Sequence, residues 1–494
     1  MDIKDWFPEF QVSAETDTEL QSYFFQLPEV RQVTDSRSWL VLGRKGMGKT
    51  AIYEHLKVSP PQTLNGFETI CVNFRDYPWP AHQLYKDSLA GELSAYQKSW
   101  RYLFFVKAIS KLLEIKEHGG EKLNKEMKWA KGYIEKIYGN PDPSLTEVIF
   151  SKIARVDKVK GPGFDIDDLS FDVGEISFDD VANDKALQSK LRSNAFTLLG
   201  YFESIYKANC GDIKILIALD QLDENWLQGE IEEYSKVLIN LVNTCRTISL
   251  DPELSGKLKV VPFLRTDIYH SLRFNDKNKL LQDSAIVISW DTESLDDMFF
   301  ERVKKYAPND INIDGNKKSG NLFEFTFARQ GTPAIKYITR RSFFRPRDVI
   351  VYFNKIRECH EKSRSGLYSS SELYEADREA SASVYNEIID EWSNQFPEIE
   401  SLLSVLQTIK VETFSYHDFT VKHAAEFPDV PESRKRTHME FLFDNSIVGQ
   451  KKQGRWEYVC STPNLKMNME QEFRTHHALK YRLHLIESRP NQAV

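Results

Sequence analysis

Cysteine is scarce and scattered in this chain. Among 494 residues there are five, Cys71, Cys210, Cys245, Cys359 and Cys460, and no two form a Cys-x-x-Cys pair. An odd number at long spacings excludes a disulfide frame and a paired-cysteine zinc site, and it fits reduced thiols in a cytosol. Long apolar runs are missing too. No window approaches the roughly eighteen apolar residues of a spanning helix, so no membrane segment is expected. The opening stretch MDIKDWFPEF carries acids and a proline and no apolar core, so it does not read as a signal peptide. An excess of basic charge is also lacking. With 65 basic and 73 acidic residues the net charge is −8. That argues against a protein that coats nucleic acid, while leaving room for a local basic patch. Internal repeats and low-complexity tracts are absent.

What is present suffices for real cores. Hydrophobic residues make up 41% and aromatics 12%, and the length suggests about two to four domains. Five short apolar runs, WLVLG (39–43), ETICVNF (68–74), IKILIAL (213–219), LKVVPFL (258–264) and AIVISW (285–290), alternate with helical patterns. Runs that are apolar on both faces and bounded by turn residues or charges read as buried parallel strands. The expected fold is therefore α/β with a five-stranded parallel sheet. Between the second and third runs lies a long insertion, around 95–195, with helical spacing at 99–115. Its segment 158–180 reads as a surface hairpin or an acidic insert, with a solvated loop as the alternative.

The first run leads into Gly43-Arg44-Lys45-Gly46-Met47-Gly48-Lys49-Thr50, followed by Ala51 at the start of a helical pattern. This matches G-x-x-x-x-G-K-[ST] at every fixed position and sits in the strand–loop–helix context that the motif needs. Glycines let the backbone wrap an anion. Successive N–H groups and the helix N-terminus then point at phosphates. Lys49 supplies a charge for the β/γ oxygens and Thr50 a hydroxyl for Mg²⁺. The alternative is a glycine-rich turn without a ligand.

A phosphate loop needs a carboxylate at the tip of another buried strand. IKILIALDQLDENW supplies Asp220 there, with Asp223 and Glu224 close behind. Asp220 is the candidate magnesium residue. Glu224, with Asp223 as second choice, is the candidate base for the attacking water; the alternative is that both cap the next helix. A strand between the phosphate-loop strand and the acidic strand in sequence, together with these acids, resembles the additional-strand catalytic-glutamate group of P-loop NTPases. Within it, the pattern is similar to the STAND and AAA+-like ATPases. The resemblance implies ATP rather than GTP, since no Asn-Lys-x-Asp signature follows a strand. It implies a phosphate sensor at the tip of FLRTDIY, where Arg265 and Thr266 fall. It also implies a second sensor at Pro346-Arg347, with Arg345 as a further candidate; the alternative pairs these arginines with acids such as Asp348. Arg302 is a weak candidate for an arginine finger supplied to a second subunit.

The resemblance is strongest to bacterial P-loop ATPases of similar length, many encoded beside antiphage effectors, built as an ATPase core, a helical lid and a winged helix. Here that implies an N-terminal helical extension over 1–30, a core over 31–290, a lid over 291–395 and a winged helix over 396–494. In the last segment three helical patterns precede two alternating strands around Gln453 and Gly454, the order of a winged helix. Arg434, Lys435 and Arg436 on its third helix and Lys451, Lys452 and Arg455 round its wing form the candidate DNA face, with a protein-contact domain as the alternative. His476 and His477 are adjacent and so would face different sides of a helix, which speaks against a shared metal. The expectation is a slow, cytoplasmic ATPase switch using ATP and Mg²⁺, with a homo-oligomer or a protein effector as partner. The alternatives are a DNA-dependent motor or loader and a scaffold that holds ATP without cleaving it.

Overall fold

The computed structural model describes residues 2–75, 77, 92–149, 161, 183–223, 231–309, 312–361 and 365–487. The hairpin or insert expected over 158–180 lies, Gly161 apart, outside these residues. Contacts divide the chain into two units, Pro28–Arg44 with Lys49–Ile288, and Met1–Leu27 with Lys45–Gly48 and Ser289–Val494.

The unit built on Pro28–Arg44 and Lys49–Ile288 is a parallel α/β sheet. Its strands are β1 (Leu40–Gly43), β2 (Phe67–Asn73), β3 (Lys214–Asp220), β4 (Leu258–Arg265) and β5 (Ala285–Val287). They run in the order β2-β3-β4-β1-β5, every pairing parallel. The central strands are buried almost throughout, which is why their sequences lack polar–apolar alternation. The acidic strand β3 does not adjoin β1. Between them stands β4, pairing Val41 with Phe263 on one side and Ile217 with Val260 on the other. The run ETICVNF, which separates β1 from β3 in sequence, lies at the sheet edge as β2. Crossover helices decide order in space, so the interposed strand is one that comes later in the chain. The last run stops at Val287 instead of reaching Trp290. Helices Glu92–His118, Lys185–Asn209 and Ile231–Leu250 cover the sheet and share one core, in which the indole of Trp100 donates to Val237 O at 3.2 Å.

The other unit has two apolar cores. The first gathers helices Thr292–Tyr306, Pro346–Cys359 and the start of Ser370–Trp392. Capping boxes at Asp291/Ser294 and Ser369/Glu372 set two of these starts, and Pro346 at the first turn sets the third. A short antiparallel pair, β6 (Phe327–Ala328) and β7 (Thr332–Pro333), flanks them. Trp6, Phe7 and Phe10 insert into this core, and Asn354 exchanges hydrogen bonds of 3.0 and 2.8 Å with the backbone of Phe10. Residues 2–27 are tied down in that way and carry two 3-10 turns, Ile3–Asp5 and Leu20–Ser22, where a helical extension was expected.

The second core has the order of elements expected for a winged helix. Helix Ile399–Ile409, strand β8 (Thr413–Phe414), helices Tyr416–Glu426 and Glu432–Asp444, and strands β9 (Val448–Lys452) and β10 (Arg455–Glu457) follow in that order. Gln453 and Gly454, both at positive φ, make the two-residue turn between β9 and β10. A further strand, β11 (Phe473–Thr475), enters between β9 and β8. The sequence reading did not include β8 and β11, of two and three residues. Among the described residues no helix is long and apolar enough to cross a membrane, and none of the five cysteines is in a disulfide.

Candidate nucleotide site

The phosphate loop leaves β1 at Gly43 and enters helix Lys49–Val58. Gly46 (φ 80°) and Gly48 (φ 90°) take the left-handed conformation that a side chain resists. Lys49 is turned back on the loop, its Nζ donating to Gly43 O at 2.9 Å and Arg44 O at 3.1 Å. Burial lowers its pKa, while Asp223 and Asp220 pull it up and Arg265 pushes it down. A phosphate oxygen would replace these carbonyls with a better partner for an ammonium.

Asp220 ends β3 and is 3% exposed. The Thr50 hydroxyl and the Gln221 backbone N–H donate to its carboxylate. The positive φ of Gln221 (61°) aims that N–H back at the strand tip. Burial nevertheless raises the carboxyl to about 6. One of its oxygens, Oδ2, is buried without a hydrogen-bond partner. A buried carboxylate oxygen left unpaired beside a hydroxyl calls for an explanation. A hard cation with oxygen ligands supplies one, so Thr50 and Asp220 fit Mg²⁺. Among the described residues no group of three or more His, Cys, Asp or Glu side chains forms a metal cage.

Asp223 is half-buried with Oδ2 3.8 Å from Arg265 Nη1. Arg265, at the tip of β4, places Nε and Nη2 on the two oxygens of Asp267 at 3.1 and 2.8 Å. Asp267, in the first turn of helix Thr266–Ser271, is thus a partner of Arg265. Glu224, the preferred base, lies outside the described residues.

Lys45–Gly48 pack within the other unit. A Cβ added at Gly46 would lie 3.4 Å from both Arg345 Cδ and Arg347 Cβ. Arg347 N meets Gly46 O at 3.4 Å, and the Trp290 indole donates to Met47 O at 3.0 Å. The Arg347 guanidinium contacts Glu387 Oε1 at 2.9 Å, and Lys45 Nζ reaches the same oxygen at 3.2 Å. Arg345 is buried on Glu391 at 3.0 Å. Both sensor candidates therefore pair with acids, but with acids of helix Ser370–Trp392 rather than with Asp348. Asp348 is buried beside them, and burial raises its carboxyl to about 7 although Arg345 opposes this. Glu387 and Glu391 escaped the sequence reading. Their four-residue spacing put both on one helix face, but nothing in the sequence named what that face meets.

Arg302 is 5% exposed, lies over the Tyr23 ring at 4.5 Å and donates to Met298 O at 3.2 Å. It is a core arginine. On the winged helix Arg434 pairs with Glu398, Lys435 with Glu432, Arg436 with Glu440 and Lys451 with Glu472. Lys452 and Arg455 are exposed and face each other across the wing. His476 is buried, stacks on Phe343 at 3.9 Å, and is pushed down to about 3 by burial, so it is a neutral core residue.

Residues 293–389 match the family model described as the FunZ-associated C-terminal helical domain. No curated protein matches the chain. Similar solved structures include the Walker-type ATPase of Pyrococcus abyssi, at 11% identity over 89% of this chain and 95% of that one, TM-score 0.38. The ORC2 protein of Aeropyrum pernix, in ADPNP–ADP complexes, is 12% identical over 95% and 96%, TM-score 0.43. The ORC1 protein of Aeropyrum pernix, in complex with DNA, is 11% identical over 97% and 94%, TM-score 0.35.

Proposed function

We propose that this chain binds ATP with Mg²⁺, hydrolyses it slowly, and uses the nucleotide state as a switch that controls a partner. The observation that carries the reading is the phosphate loop with Thr50 bonded to a buried Asp220 whose second oxygen is unpaired. In this reading Lys49 and the loop N–H groups hold the phosphates. Thr50 and Asp220 would hold the metal, which would supply positive charge to offset that of the phosphates. Asp223 or Glu224 orients and deprotonates the attacking water, and Arg265 and Arg347 answer the phosphate charge. The partner is a second copy of the chain or a separate effector, and antiphage defence is the setting that the family resemblance suggests.

The test is ATP turnover by wild type and by Glu224→Gln and Asp223→Asn. Measurable turnover that collapses in one of the two supports the reading and names the base. Turnover untouched by both would remove these residues from the chemistry. ATP binding without any turnover would favour a scaffold.

DNA contact is the second reading, supported by the exposed pair Lys452 and Arg455 and by Trp456, which lies under Lys451 at 6.0 Å and Arg474 at 5.6 Å. Four of its six candidate cations already carry acidic partners. It predicts DNA-stimulated turnover that Lys452→Ala with Arg455→Ala abolishes.

A further inference from the structure

Glu387 stands where an anion would be expected. It lies on helix Ser370–Trp392, more than three hundred residues along the chain from the phosphate loop, yet one of its oxygens takes both Lys45 Nζ at 3.2 Å and Arg347 Nη1 at 2.9 Å. Lys45 is a variable position of the loop motif, and Arg347 is the cation whose Cβ packs nearest to Gly46. Two cations from separate parts of the sequence thus converge on one carboxylate oxygen at the tip of the loop. The three side chains are between 26% and 34% exposed, so the group is reachable by solutes. Burial alone would raise the Glu387 carboxyl; Lys45 and Arg347 outweigh that and hold it below its ordinary range. It is therefore an anion at neutral pH, seated on the charges that a polyphosphate would seek.

We infer that Glu387 is an internal stand-in for nucleotide phosphate: it occupies Lys45 and Arg347 when the loop is empty and must yield them when ATP binds. The inference rests on the nucleotide reading above and adds a residue that sets affinity. ATP has to break both pairs before it can use either cation, so the carboxylate weakens binding. The displaced Glu387 is also the messenger. Its helix continues through Ile388 and Trp392 into the winged-helix core, and Arg345 is anchored one turn further on at Glu391. Release of Glu387 is thereby felt in the domain that the proposed switch would present to a partner.

Glu387→Gln keeps the shape and removes the charge. Calorimetric titration of the full chain with ATP, ADP and AMP, each with Mg²⁺, reads the effect. Asp390→Asn serves as the control, since it makes the same change of net charge one turn away at an exposed position. ATP should bind Glu387→Gln about tenfold more tightly than wild type, as expected when two partly exposed ion pairs no longer have to be broken. The gain should shrink for ADP and vanish for AMP, and Asp390→Asn should bind like wild type. Equal affinities for wild type and Glu387→Gln would overturn the inference while leaving the nucleotide site standing. So would a gain of the same size for all three nucleotides, or one reproduced by Asp390→Asn. Failure of wild type and Glu387→Gln alike to bind ATP would overturn the nucleotide reading and the stand-in with it. Melting curves without nucleotide, expected to agree within a few degrees, exclude a gain that comes from loosening the fold.

Discussion

Arg345 can be a structural ion or a sensor, and its pair with Glu391 distinguishes the two. The side chains are 7% and 2% exposed and meet at 3.0 Å. Each ion gave up several kcal/mol of hydration to be there, and their attraction offsets that only while both remain. Glu391→Gln leaves the Arg345 charge buried without its main partner, which costs about 3–5 kcal/mol. A unit of this size loses about 2–4 °C of melting temperature per kcal/mol, so the melting point should fall by about 10 °C. Arg345→Met with Glu391→Leu removes both charges and keeps the volume; it should recover most of the loss. The assay is thermal unfolding of wild type, Glu391→Gln, and the mutant cycle of Arg345→Met, Glu391→Leu and their double, with ATP affinity measured on the double. The predicted result is a strong positive coupling and an unchanged ATP affinity. A Glu391→Gln protein that melts within about 2 °C of wild type, or a double less stable than either single, would refute the buried-pair reasoning. A double that is stable but has lost ATP would return Arg345 to the sensor role.

Two further outcomes follow from buried carboxyls. In the proposed site magnesium would need Asp220 ionised, and burial holds its carboxyl up at about 6; Mg²⁺-dependent ATP affinity should therefore fall as pH drops through about 6, and Asp220→Asn should weaken the magnesium dependence at any pH. Asp348 is raised to about 7, so the folded state prefers its neutral form; its contribution to stability is fully present below the ordinary carboxyl range and is lost as pH rises toward 7. Wild type should gain stability relative to Asp348→Asn on acidification from pH 8 to about 5, as read by urea unfolding, and parallel pH profiles would contradict the assignment.

The parts legible in the sequence were those that depend on neighbours along the chain. Five apolar runs identified five strands because a parallel strand buried on both faces needs no alternation. The loop from Gly43 to Thr50 was legible because its fixed residues, its strand and its helix are contiguous. Asp220 followed from its place at the end of such a run. What escaped depends on residues far apart. That β4, and not β2, separates β1 from β3 is a matter of crossovers, which composition does not record. That Lys45 and Arg347 share Glu387 requires three segments to meet. Pro346-Arg347 pointed to a helix start near phosphate, but not to the two glutamates waiting on another helix. The wing was visible from Gln453-Gly454; of the acids that neutralise most of the candidate DNA face, Glu432 and Glu440 lie on the same helix as their partners, whereas Glu398 and Glu472 lie far along the chain from theirs.

The central claim is that Lys49, Thr50 and Asp220 form a magnesium-dependent ATP site. Titration of the full chain with ATP, with and without Mg²⁺, in wild type and in Lys49→Ala, tests it most directly. The account predicts saturable binding at one site per chain, strengthened by Mg²⁺, and lost or weakened by at least about a hundredfold in Lys49→Ala, as expected for removing a charge-assisted phosphate contact. Binding of equal strength in both proteins, or none in wild type at millimolar ATP, would contradict it.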